Sequence, residues 1–190
     1  MKLDSYRVIV LETNVLMTAS EHASQASDEC VQQCVSVIEQ VKQGTPTLAL
    51  DNSGLILDEY QKRLRAYPDS VGYMFLRQWL DSNWHNIVLV DIQPKDTEQG
   101  QFGVLPRRAL KGFDRDDKKF VATAVAAQNK LDNTVPIVNA VDSDYAEHFS
   151  ALHALGVYVE FLCPEVQPIN AESGESPSTP SRRRVRLRRR

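Results

Sequence analysis

Acidic residues recur where the apolar runs of this sequence stop. Glu12 follows the run 6–11, Asp51 follows 46–50, Asp91 follows 86–90 and Asp142 follows 136–141. Others open or line helix-like stretches: Asp58, Glu59, Asp116, Asp117 and Asp144. Carboxylates gathered in one place repel, by roughly 4 kcal/mol for two unit charges about 4 Å apart at an effective dielectric near 20. Hard divalent cations with oxygen ligands, Mg²⁺ or Mn²⁺, are the usual relief. Such ions activate water and stabilise the leaving oxygen of a phosphodiester. A single acid after a strand is ordinarily a turn residue or helix cap. Only the series, in order along the chain, raises it above that.

The elements that must position these acids follow from hydropathy and punctuation. Residues 6–11, 46–50, 86–90, 136–141 and 157–162 read as short buried strands. Helices are expected over 24–43, with Gly44 as stop; over 55–67, with Leu57, Tyr60 and Leu64 inward and Pro68 ending it; and over 71–84, with Phe75, Leu76, Trp79 and Leu80 inward. Asp114-Arg115-Asp116-Asp117 opens a further helix to about 129, apolar nearly all round from Phe120 and therefore central. A last helix spans 145–155 and stops at Gly156. Residues 93–112, with little periodicity, read as a long surface loop. Strands alternating with helices give the expected class: α/β, a three-layer α/β/α sandwich with a mostly parallel central sheet. Such sheets build sites at the carboxyl ends of their strands.

The 190 residues suit one domain with a sizeable core, expected over 1–166, with a disordered arginine-rich tail over 167–190. Lys and Arg number 22 against 25 Asp and Glu, a net charge of −3. That balance hides an asymmetry, because seven arginines fall within residues 182–190. Without them 15 basic residues face 25 acidic ones, a net of −10. An acidic body repels nucleic acid, so contact with it needs local basic patches, the tail or bound cations. No apolar run approaches the roughly 18 residues of a membrane span. Cys30, Cys34 and Cys163 suggest no disulfide framework; Cys30 and Cys34 read as core packing rather than zinc ligands, and a cytoplasmic residence is expected.

Taken in order, these motifs resemble the PIN-domain family of metal-dependent ribonucleases, which includes the toxins of toxin–antitoxin modules. Val8-Ile9-Val10-Leu11-Glu12-Thr13-Asn14 resembles the family's first strand ending in Asp-Thr-Asn. Leu57-Asp58-Glu59-Tyr60 resembles the helix with the second acid before an aromatic. Asp116-Asp117-Lys118-Lys119-Phe120 through Ala124 resembles the helix with the third, and Ile137 through Tyr145 the strand and turn with the final acids. The likeness spans roughly 6–165. It implies an endoribonuclease using Mg²⁺ or Mn²⁺, with Glu12, Glu59, Asp117 and Asp142 as principal catalytic and metal-binding acids and Asp144 as an auxiliary ligand. Thr13 and Asn14 would orient the first carboxylate and the turn, with Asn14 also at the substrate. Asp116 competes with Asp117, and Asp58 with Glu59. The implied partners are nucleic acid, RNA before DNA, and an inhibitor protein of the antitoxin kind; homo-oligomerisation stays open.

Arg107, Arg108, Lys111, Lys118 and Lys119 flank the third acid and are candidates to grip phosphates. Lys62, Arg63 and Arg65 read as exposed helix charges, and the arginine tail as a tether for nucleic acid or, equally, a dock for an acidic partner or the acidic body itself. The family has Asp where this chain has Glu12. The extra methylene moves the carboxylate by about one bond, and a misplacement near 1 Å can lower a rate by on the order of 10²-fold. The alternative function is therefore a catalytically weakened PIN-like module that binds nucleic acid or a protein without cleaving. Phosphate-transfer proteins with acids at strand ends fit less well, because Glu12-Thr13-Asn14 lacks their paired acids after the first strand.

Overall fold

The computed structural model describes residues 3–166 and residue 168, without residues 81 and 108 and without the side chains at 4, 79 and 85. Arg108 and the whole arginine tail lie outside the described residues. Strands β1 (Val8–Leu11), β2 (Thr47–Asp51) and β3 (Val88–Val90) alternate with helices α1 (Thr13–Ala19), α2 (Asp28–Lys42), α3 (Leu55–Leu64) and α4 (Val71–Met74). A π-helical stretch, Phe75–Leu80, continues α4. Strands β4 (Pro94–Asp96) and β5 (Gln101–Phe102) come next, then helix α5 (Lys118–Leu131), strand β6 (Ile137–Asn139), helices α6 (Asp144–Glu147) and α7 (Phe149–Ala154), and strand β7 (Val159–Phe161).

Five strands form one sheet in the order β3-β2-β1-β6-β7, every pair parallel. The register sets Val8 beside Thr47 and Val10 beside Ile137. Parallel strands need crossovers, and right-handed ones put the helices of the first two connections on one face and those of the last two on the other. Accordingly α1 packs on α2, α3 and α4, while α5 lies across β1, β2, β3 and β6. The result is an α/β/α sandwich. All of β1 is buried, as a strand covered on both faces requires. Ala122, Ala124 and Ala127 let α5 lie close to the sheet, with Phe120 and Val121 filling the core.

Several expectations are corrected. The loop over 93–112 contains an antiparallel hairpin, β4 with β5, too short and too polar to show periodicity. Asp114 to Asp117 do not open α5; they form the turn before it, ending with Asp117 at the cap position. Ile56, not Leu57, joins Tyr60 and Leu64 in the core. The helix expected over 55–67 ends at Leu64, and the one expected over 71–84 changes to π-helical winding after Met74. An unforeseen helix, α1, follows β1 directly because the Glu12 side chain caps it. The cysteines are corrected too: Cys30 and Cys163 form a disulfide, with Cα atoms 4.8 Å apart, and Cys34 is a buried free thiol beside it. A sequence separation of 133 residues hid that pairing. Among the described residues no helix is long and apolar enough to cross a membrane.

Candidate functional site

The chain runs outward from β1 to β2 to β3, then returns to place β6 on the other flank of β1. Connections therefore diverge between the carboxyl ends of β1 and β6, which opens a crevice there. Glu12 stands at the end of β1 and Asp142 just beyond β6. Asn14 bridges the two strand ends. Its Nδ2 donates to Asn139 Oδ1 at 2.7 Å, and its Oδ1 accepts from the Ala140 N–H at 2.8 Å. Asn139 in turn donates to the Asp142 carbonyl at 2.9 Å. The Tyr60 hydroxyl donates to the Leu11 carbonyl, which pins α3, and Glu59 with it, to the end of β1.

The crevice is a cleft of about 800 Å³ whose lining includes Glu12, Asp58, Glu59, Asp114, Asp116, Asp117 and Asp142. Glu12 is only 4 % exposed. Its Oε2 accepts from the Asn14 N–H at 2.5 Å. Burial, then the charges of Asp117, Glu59 and Asp142, hold its carboxyl well above the usual range, and the Asn14 bond only partly offsets them. Asp117 is pushed up to about 8, first by burial, then by Asp142 and Asp114. Its carboxyl shares a hydrogen bond with that of Asp142, which is itself raised, chiefly by burial. Burial and neighbouring acids disfavour the charges of Glu12 and Asp117, the condition that a bound proton or cation relieves.

Glu59 is different. Its Oε2 lies 2.5 Å from Lys119 Nζ, and Lys119 is itself nearly buried and also donates to the Asp116 carbonyl. Lys119 is thus paired with Glu59 as its counter-ion on the lining of the cleft. Among the described residues, two hydroxyls near the acids have no hydrogen-bond partner: Thr13 Oγ1, on a cleft-lining residue, and Tyr145 OH. Tyr145 is fully buried, and its hydroxyl is held far above the ordinary range by burial and by Glu12, Asp117, Asp142 and Glu59.

The structure sorts the sequence candidates. Glu12, Glu59, Asp117 and Asp142 face one cleft. Asp144 does not line it: its Oδ2 accepts from the Asp114 N–H at 2.5 Å, and its Oδ1 lies 3.8 Å from His148 Nδ1, so it braces the turn before α5. Asn14 lines the cleft, but its side chain is occupied by Asn139 and Ala140, a positioning role rather than a grip on substrate. Arg107, Lys111 and Lys118 do not line the cleft. Among the described residues, the cations that do, besides Lys119, are Lys62, Arg63 and Arg115. Sequence reasoning set the first two aside as ordinary helix charges and overlooked Arg115 and Asp114. The signal that could have found Lys62 and Arg63 is their spacing of three and four residues from Glu59, which puts them on its side of α3.

The acids do not form a closed cage. Among the described residues, the group whose potential metal-ligand atoms all fall within 4.8 Å of one another is Cys30, Cys34 and Cys163, not the carboxylates. Comparison of this chain with protein-family models, with curated proteins and with solved structures gave no match.

Proposed function

We propose that this chain is a metal-dependent endonuclease of the PIN-like kind that hydrolyses phosphodiester bonds, with RNA ahead of DNA as substrate. One observation carries the reading: acids from four separate segments, Glu12, Glu59, Asp117 and Asp142, meet in a single cleft at the switch point of a parallel sheet, where burial and neighbouring acids raise the proton affinity of Glu12 and Asp117. The donor set fits a hard divalent cation. Glu12, Asp117 and Asp142 are carboxylates with no ion-pair partner among the described residues, and the buried Thr13 hydroxyl beside them lacks a hydrogen-bond partner. Those three acids would hold Mg²⁺ or Mn²⁺. The cation, when bound, supplies a positive charge that makes water a better nucleophile and stabilises the departing oxygen.

The remaining work falls to side chains of the chain itself. Asn14 fixes the spacing between the Glu12 and Asp142 strand ends. Lys119 neutralises Glu59, which keeps the cleft's charge below the full sum of its acids. Lys62, Arg63 and Arg115 stand where the phosphates of a bound strand would lie, against an acidic body that would otherwise repel it.

A second reading, a PIN-like module that binds without cleaving, is favoured by Glu12. The longer side chain is committed to capping α1, and the acids stay spread rather than caged. Cleavage of single-stranded RNA and DNA with Mg²⁺ or Mn²⁺ tests both. The nuclease reading expects cleavage by the native chain that a Glu59→Gln/Asp142→Asn double variant lacks. Activity absent from the native chain but created by Glu12→Asp would establish the second reading instead.

A further inference from the structure

Far along the sequence from the acids, three sulfur atoms meet in the core. Cys30 and Cys34 lie one turn apart on α2, and Cys163 follows β7; all three are fully buried. Cys163 begins the last described segment, a single turn over Pro164–Val166. The first turn of α2, which carries Cys30, is capped by Ser27. Ser27 Oγ accepts from the Cys30 N–H at 3.3 Å. The turn over Pro164–Val166 buries no residue of its own. Pro164 and Glu165 are exposed and Val166 is only partly buried, and a turn with so few buried contacts opens locally at low free energy.

We propose that Cys30 and Cys163 are a reversible redox modification site: a disulfide strap that fastens the segment leaving β7 to the first turn of α2, with Cys34 as a bystander. The inference is independent of the nuclease reading. Its oxidant is a small-molecule disulfide. One thiolate, exposed when that turn opens, attacks that disulfide and forms a mixed disulfide, releasing one small thiolate. The other cysteine then attacks the protein-side sulfur and displaces the second. Two protein thiols lose two electrons and two protons, and the reagent becomes two thiols. Excess small thiol runs the same steps backwards.

Cys34 stays out for a physical reason. Burial pushes its thiol up to about 12, so at neutral pH its thiolate fraction is on the order of 10⁻⁵. Only the thiolate attacks a disulfide, so the bond does not migrate along α2 although the sulfur atoms lie within 4.8 Å.

The test uses the full chain equilibrated with defined ratios of oxidised and reduced glutathione, then alkylated under denaturing conditions and mapped by mass spectrometry. At the oxidised end one thiol, Cys34, should be alkylated, with Cys30 and Cys163 peptides linked. At the reduced end all three should be alkylated, with a Tm lower by about 5 °C or more. Cys34→Ser should leave the oxidised fraction within twofold of the native chain, and Cys163→Ser should abolish the link. Because Cys163→Ser could fail to fold, mapping of the native chain decides alone. A link that includes Cys34, or three alkylated thiols at the oxidised end, overturns the proposal. So does one equivalent of Zn²⁺ shielding all three thiols of the reduced chain, which would make the cluster a metal site.

Discussion

The carboxyl ends of β2 and β1 look alike in sequence, each an apolar run closed by an acid, yet they do opposite things. At β2, Asp51 is 2 % exposed, and both its oxygens accept backbone N–H groups, from Leu55 and Ile56, at 2.9 Å. Its charge is absorbed by the start of α3. Asp91, beyond β3, does the same in miniature by accepting from the Gln93 N–H. At β1 and β6 the acids face one another across a crevice, and the hydrogen bonds that Glu12 and Asp142 accept from backbone do not cancel the repulsion. A strand-end acid becomes a candidate ligand when other acids surround it, and a cap when N–H groups do. The difference arises from strand order, since only β1 and β6 flank the point where connections diverge.

Breaking the comparison on the cleft side gives the largest expected effect. Asp117→Asn or Asp142→Asn should lower metal-dependent cleavage by at least about 100-fold while the fold survives, measured as initial rates on labelled RNA with far-ultraviolet circular dichroism as control. The mirror experiment is Asp51→Ala. It leaves two N–H groups at the start of α3 without their acceptor and should destabilise the fold by about 2–4 kcal/mol in urea titration, with cleavage per folded molecule unchanged.

A pH series sharpens the contrast. Asp117 is pushed up to about 8 from an ordinary aspartate value near 4. Between those values the folded chain keeps a proton that the unfolded chain has released. Stability without metal should therefore fall as pH rises from about 4 to about 8. Asp117→Asn should flatten that decline, and added Mn²⁺ should oppose it, since binding displaces the proton. Thermal melts across the range, with and without metal, check the sign. The smallest effect belongs to the rim: Lys62→Ala or Arg115→Ala should weaken single-stranded RNA binding a few-fold and reduce the salt slope by about 0.7 per lost phosphate contact. Fluorescence anisotropy in Ca²⁺ reads this without cleavage.

The sheet was legible because parallel strands buried on both faces read as short apolar runs, and α5 because its apolar surface extends all round. The four cleft acids were legible through their order along the chain. What failed was mostly the partners that single side chains find far away in sequence. Nothing local distinguishes Lys119, which meets Glu59 across 60 positions, from Lys118, which meets no acid among the described residues. Asp144 belonged to the acid series by position, but the Asp114 backbone, 30 residues away, claims it. Asn14 reads as a turn residue and serves as a brace because β6 lies beside β1 in space, 125 residues later in the chain. The hairpin of β4 and β5 escaped because its polar, exposed residues carry no pattern.

The central claim is that the acids at the β1 and β6 ends, and not those at the β2 and β3 ends, take up a divalent cation. A crystal of the full chain soaked in Mn²⁺ and measured for anomalous scattering tests it most directly. The account expects a Mn²⁺ peak in direct contact with the carboxylates of Asp117 and Asp142 and none at Asp51 or Asp91. An empty cleft at millimolar Mn²⁺, with Asp117 and Asp142 still hydrogen-bonded to each other, would contradict it.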